Sequence, residues 1–462
     1  MIEQTYADFL ASKQVDDKPT GLDVVPDLNP MLFDFQADIV RWALKRGRAA
    51  IFADCGLGKT PMQLEWAKHI EDVGEYVGSV LIVAPLAVSA QTVREGVKFG
   101  IEVNPCKTGA DVKRGINITN YERLHHFDPE DFAGIVLDES AILKSYTGKY
   151  RTDLVERWGQ VPYRLCCTAT PAPNDYMELG NHAEFLGVMT GSEMLSSFFI
   201  NDPGHVGHYR IKGHAQEPFW HWMCSWSVMV RKPSDLGYAD RDFILPELFV
   251  HHIEVETSTH SETLFAVDAQ TLQERIRARR DSLPERVAEA ASLIAAHEDG
   301  EQWLCWCNLN KESERLVKSI PGAVEVRGSD SVEYKEESVL RFVSGDIEKL
   351  VSKPKMFGHG LNLQHCHKMI FVGLSDSYEQ YYQAVRRCWR FGQTKPVDCY
   401  IITADTEGAV VANIRRKERD AIYMAEGMAK HMGYISEGII RGDAGFTTSY
   451  EPAQAMVLPE WS

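Results

Sequence analysis

The chain has 462 residues, 44% hydrophobic and 25% charged, with a formal net charge of −17. That length suits two or three domains, and the composition is that of a soluble globular protein. The acidic balance excludes a globally basic nucleic-acid binder, so any such contact must run along a local basic track. The ten cysteines contain no Cys-x-x-Cys, and Cys166, Cys167, Cys305 and Cys307 sit inside apolar runs. This predicts reduced, buried thiols and a cytoplasmic setting. No apolar run reaches bilayer-spanning length, and Met1-Ile2-Glu3-Gln4-Thr5 lacks the basic start of a secretory signal, so no membrane partner is expected.

Taken in order, residues 1–30 are polar and proline-bearing and read as a lead-in. Residues 31–45 have the apolar spacing of an amphipathic helix. Strands are predicted at 49–53, 79–84, 116–119, 134–138 and 163–168, separated by helical stretches. Short continuous apolar strands between helices point to a parallel sheet covered on both faces. From 176 to 285 aromatics and histidines dominate, with few clear strands, so this stretch reads as a mainly helical insertion and linker. Alternation resumes at 302–307, 368–372 and 397–403. The expected architecture is α/β, with one parallel-sheet lobe over 31–175, a second over 286–410, and a C-terminal extension over 411–462.

Four segments carry chemistry. Ala53-Asp54-Cys55-Gly56-Leu57-Gly58-Lys59-Thr60 lies between a strand and a helix that takes Pro61 in its first turn. This is the local design of a P-loop: glycine lets the backbone approach a phosphate, Lys59 would reach the β- and γ-phosphates, and the Thr60 hydroxyl would ligate Mg²⁺. Asp138-Glu139 closes an apolar strand; in a P-loop ATPase the first carboxylate holds Mg²⁺ and the second activates the attacking water. Thr168-Ala169-Thr170-Pro171 closes another strand, with hydroxyls able to sense that acidic pair; the plainer reading is a strand ended by threonine and proline. In the run Gln383 to Gln393, Arg387 and Arg390 are three apart and would share one helix face, able to reach a phosphate across a cleft; a solvent-facing basic helix is the alternative.

This ordered set resembles the superfamily 2 helicases, and is most similar to the Swi/Snf-like branch of ATP-driven DNA translocases. Leu32-Phe33-Asp34-Phe35-Gln36 resembles the adenine-reading segment, Gly56-Leu57-Gly58-Lys59-Thr60 the P-loop form of that branch, and Asp138-Glu139-Ser140-Ala141 the acidic box. Leu81 to Leu86 and Ile118 to Glu122 resemble strand-binding motifs, Thr168 to Pro171 the coupling motif, and Gly358 to Leu363 with Gln383 to Gln393 the last two motifs. Arg231-Lys232 with Leu245-Pro246 resembles a segment between the lobes. Ala141 stands where the branch usually has histidine, and Ala169 where it often has glycine.

The resemblance spans residues 31–405. It implies two RecA-like lobes with ATP and Mg²⁺ between them and DNA, rather than RNA, crossing both. It also implies nucleotide contacts from Gln36, Gly56, Leu57, Gly58, Lys59, Thr60 and Gly360, metal contacts from Thr60 and Asp138, and catalytic work by Lys59, Glu139, Arg387 and Arg390. The implied activity is a DNA-stimulated ATP hydrolase of helicase or translocase type. Alternatives are a double-strand translocase or restriction-system motor that does not separate strands, and a nucleotide-dependent DNA-binding scaffold without turnover. The compact chain fits a phage or prokaryotic motor. Among weaker signals, His205 to His208 reads as a polar loop, Trp220, Trp222 and Trp226 as core or as base-stacking groups, and Arg275 to Arg280 as a solvated or phosphate-contacting face.

Overall fold

The computed structural model describes residues 19–71, 78–144, 148–201, 209–257, 272–297, 300–355 and 362–440. Two parallel sheets carry the architecture. The first holds β1 (Arg48–Ala53), β2 (Ser79–Ala84), β3 (Val103–Pro105), β4 (Ile116–Asn120), β5 (Phe132–Asp138), β6 (Tyr163–Thr168) and β9 (Ser227–Val230), in the order β3-β4-β2-β5-β6-β1-β9. A small antiparallel hairpin pairs β7 (Phe199–Asn201) with β8 (Tyr209–Ile211). The second sheet holds β10 (Leu248–Val255), β11 (Trp303–Cys307), β12 (Ala323–Glu325), β13 (Lys349–Ser352), β14 (Lys368–Val372) and β15 (Val397–Ala404), in the order β10-β15-β14-β11-β13-β12.

The central strands β2, β5, β11 and β14 are buried along their whole length, as continuous apolar runs between helix layers require. The helix Asp34–Arg46 buries Phe35, Ile39, Val40 and Ala43 against the first sheet. Asp34 opens it, Lys45 and Arg46 close it in favourable register with the helix dipole, and Gly47, at φ +77°, lets the chain turn into β1.

The stretch expected to be mainly helical is helical in part, with helices Glu178–Leu186, Gly191–Phe198 and Gln216–Trp226. It also gives one strand to each sheet, which corrects the expectation. β9 pairs with β1 from Ala50↔Ser227 to Ala53↔Val230, and β10 pairs with β15 from Leu248↔Val397 to Val255↔Ala404. Both are edge strands. The exposed face of β10 carries polar residues between apolar ones, so its pattern lacks the continuous apolar signature of the buried strands. Trp220 and Trp226 are buried in the first lobe's core, which resolves that cluster as packing. Arg279 is buried against Glu407, whereas Arg277 is exposed beside Asp281. His205 to His208 lies outside the described residues.

The last helix, Gly408–Ile440, ties the two halves together. Val410 and Ile414 pack in the second lobe's core, and Met424 and Ala425 in the first lobe's. No helix among the described residues is long and apolar enough to cross a membrane.

Candidate nucleotide-binding cleft

In a parallel sheet the loops that follow neighbouring strands emerge at one edge, where ligands bind. β5, β6 and β1 are neighbours, so their terminal residues Asp138, Thr168 and Ala53 come together there. After β1 the chain turns through Gly56 at φ +91° and Gly58 at φ +78°, into the helix Lys59–Glu71. Both conformations are strained for any residue with a Cβ. Lys59 folds back across this turn, its Nζ donating to the carbonyls of Ala53 at 2.8 Å and Asp54 at 3.4 Å. Gln36 donates from Nε2 to the Leu57 carbonyl at 2.8 Å and accepts the Phe33 amide at 3.0 Å, so it is fixed against the turn. Leu57 is buried. Phe33, Phe35 and Phe391 all pack against Phe243 beside Gln36, with the Phe243–Phe391 centroids 4.7 Å apart.

The parallel register sets Asp138 opposite Cys167, so the next residues, Glu139 and Thr168, meet. Thr168 Oγ1 donates to Glu139 Oε2 at 3.3 Å and accepts the Thr170 amide at 3.2 Å, so the threonine segment contacts the acidic pair. Glu139 has φ +53°, a left-handed conformation that a glutamate adopts at a cost of order 1–3 kcal/mol, and such outliers cluster at functional sites. Asp138 is buried, and Gln63 Nε2 donates to its Oδ1 at 2.7 Å. Burial, then the neighbouring Glu139 charge, pushes the Asp138 carboxyl up to about 6, against the pull of Gln63 and Lys59. Ala141 leaves the acidic box without its own histidine, yet a histidine reaches the box from another element. His182 Nδ1 donates to the Glu178 carbonyl at 3.3 Å, so its Nε2, 3.1 Å from Ser140 Oγ, accepts that hydroxyl. Burial pushes the His182 imidazolium down to about 4, keeping it neutral.

The second lobe meets this edge through the helix Tyr378–Val385 and the turns after it. The helix ends at Val385, so Arg387 and Arg390 lie on turns and not on one helix face, which corrects the spacing argument. Both are buried. Burial, with Arg390 adding to it, lowers Arg387 to about 10, while Cys55 and Glu139 pull the other way; burial also lowers Arg390. The arginine that reaches the turn directly is Arg386. It forms an ion pair with Asp54 and donates from Nη2 to the Cys55 carbonyl at 3.3 Å. Tyr382 Oη donates to the same Asp54 carboxylate. Burial opposes the Arg386 charge, but Asp54, Tyr382 and Cys55 together outweigh it and raise the pKa. Phe391 approaches so closely that a Cβ on Gly56 would lie 2.9 Å from its backbone nitrogen.

All the sequence-predicted positions on the first lobe thus gather at one edge, and Arg387 and Arg390 face them from the second lobe. Gly360 and the rest of Gly358 to Leu361 lie outside the described residues. Asp54, Gln63, Tyr382 and Arg386 were not singled out from sequence. The Thr60 hydroxyl and the Asp138 carboxylate are oxygen donors of the kind Mg²⁺ takes, and the buried Gln63 Oε1 near Asp138 has no hydrogen-bond partner.

Comparison with known proteins finds helicase-type similarity in part of the chain. Residues 285–392 match the helicase conserved C-terminal domain. Protein p41 of Acyrthosiphon pisum secondary endosymbiont phage 1 is 23% identical over 458 residues, covering 83% of this chain and 95% of that protein. The SWI/SNF-related matrix-associated actin-dependent regulator of chromatin subfamily A-like protein 1 of Drosophila melanogaster is 20% identical over 443 residues, covering 86% of this chain and 56% of that protein. Among solved structures, the Sulfolobus solfataricus SWI2/SNF2 ATPase core in complex with dsDNA is 17% identical, covers 90% of this chain and 97% of that one, and has a TM-score of 0.42. Residues 285–392 thus match a helicase C-terminal domain, and over most of its length the chain is similar to a phage protein and to a SWI/SNF-related regulator of chromatin.

Proposed function

We propose that this protein hydrolyses ATP in the cleft between its lobes and uses the cycle to move along DNA. The observation that carries this reading is the meeting of the P-loop and the acidic pair of the first lobe with the arginine segment 386–390 of the second. When bound, Mg²⁺ and ATP supply the polarised phosphoryl group. Lys59 and the turn's amides bind phosphate oxygens, Thr60 and Asp138 hold the metal, and Gln36 reads the base. Glu139 orients and deprotonates the attacking water. Arg387 and Arg390 neutralise charge developing on the phosphoryl oxygens, a contribution that elsewhere amounts to roughly 10³–10⁵ in rate. Thr168, bonded to Glu139, passes the state of the site to the rest of the first lobe.

The setting proposed is the cytoplasm of a prokaryotic cell or a phage-infected host. Strand displacement and triplex displacement, run side by side with ATP, test the reading. Triplex displacement without strand displacement identifies a double-strand translocase, and both together a helicase. Neither, with ATP turnover absent on every DNA, leaves the scaffold reading.

A further inference from the structure

Two side-chain ion pairs bridge the described lobes across the cleft, and both leave the same short helix. Glu379, Tyr382 and Arg386 are three and four residues apart, so on Tyr378–Val385 and its immediate end they face one way. Arg386 and Tyr382 hold Asp54, inside the phosphate-binding turn. Glu379 holds Lys144, which ends the 3₁₀ turn Ser140–Lys144 directly after the acidic pair. One helix of the second lobe therefore grips the two loops of the first lobe that would do the chemistry. The grip is tightest at Asp54, which also accepts the Cys55 amide at 2.6 Å, while the Arg386 side chain is only 4% exposed and lies 4.8 Å over the Trp389 ring.

We propose that Tyr378–Val385 with Arg386 is a two-point positioning clamp: Arg386 and Tyr382 on Asp54, and Glu379 on Lys144, register the second lobe on both loops before nucleotide arrives. The ends of the clamp have different consequences. Asp54 puts a negative charge in the turn that must receive a triphosphate, and Arg386 neutralises it. Without Arg386 that charge repels the nucleotide, so the loss falls on ATP affinity. The Lys144–Glu379 pair fixes the loop that carries Glu139, so its loss falls on turnover. Arg387 immediately follows the first anchor, so its place at the cleft depends on the clamp.

The kinetic consequence rests on the proposed ATP site, whereas the geometry can be read without nucleotide. Spin labels at Val97 and Leu340, exposed on the first and second lobes, report the interlobe distance in a Cys55→Ser background. Nucleotide-free Arg386→Ala with Glu379→Gln broadens and lengthens the distance distribution relative to the parent. Arg386→Ala raises KM for ATP by about tenfold with a smaller change in kcat, and Tyr382→Phe does so by less. Glu379→Lys lowers kcat, and adding Lys144→Glu recovers it by restoring the pair with charges exchanged. An unchanged distance distribution in the double variant overturns the clamp even if the protein proves to be an ATPase. So does a charge exchange that recovers nothing. Absence of ATP turnover in the parent, with the distance change present, removes the ATP reading and leaves the clamp standing.

Discussion

Asp138→Asn is expected to stabilise the nucleotide-free protein while it abolishes metal-dependent function. The carboxyl sits at the end of β5, buried, beside Glu139, with its pKa raised from 3.8 to about 6. Raising a carboxyl's pKa on folding means that the folded state prefers the neutral acid. At about pH 3 and below, the group is largely protonated in both states and costs little. As pH rises from 3.8 towards about 6 the unfolded chain ionises while the folded carboxyl stays protonated, so stability falls across that window and levels off above it. The displacement corresponds to at most about 3 kcal/mol at neutral pH, and Gln63 Nε2 keeps an acceptor in the Asn variant. Urea unfolding without Mg²⁺ or nucleotide, at about pH 3 and about pH 8, measures it. The variant should match the parent at the lower pH and exceed it by about 1–3 kcal/mol at the higher. A variant less stable than the parent at about pH 8 would refute the burial argument.

His182 should act in the opposite direction. Its pKa falls from 6.5 to about 4, so the parent loses stability relative to His182→Gln as pH drops from about 6.5 to about 4, on the order of 3 kcal/mol, and unfolding series at matched pH read the difference. Gly56→Ala should weaken ATP binding severalfold in a nucleotide titration, because φ +91° and the Phe391 backbone both oppose a Cβ; since the contact is with backbone, Phe391→Ala should not restore it. Of the ten cysteines only Cys55 escapes burial, so mass spectrometry after brief iodoacetamide treatment should find it carboxamidomethylated first, and MgATP should protect it.

The parts of the site legible in sequence were those specified locally. The P-loop needs glycines at two left-handed positions and a lysine and threonine at the helix start, all within one short segment. Asp138 and Glu139 were legible because an apolar strand ends in them. β9 and β10 escaped because each is an edge strand, paired on one side only, and β10 carries polar residues on its open face. The 332-residue separation between Asp54 and Arg386 hid their pairing, since spacing along a chain says nothing about which arginine of a basic run crosses a cleft. His182 was hidden in the same way: the acidic box lacks its histidine locally, and the one that touches Ser140 comes from the helix Glu178–Leu186.

The central claim is tested most directly by ATP turnover measured alone and with double-stranded DNA, single-stranded DNA and RNA, for the parent and Lys59→Ala. The parent should hydrolyse ATP and respond to DNA, and Lys59→Ala should not hydrolyse it under any condition. Normal turnover by Lys59→Ala, or stimulation by RNA alone, would contradict the account.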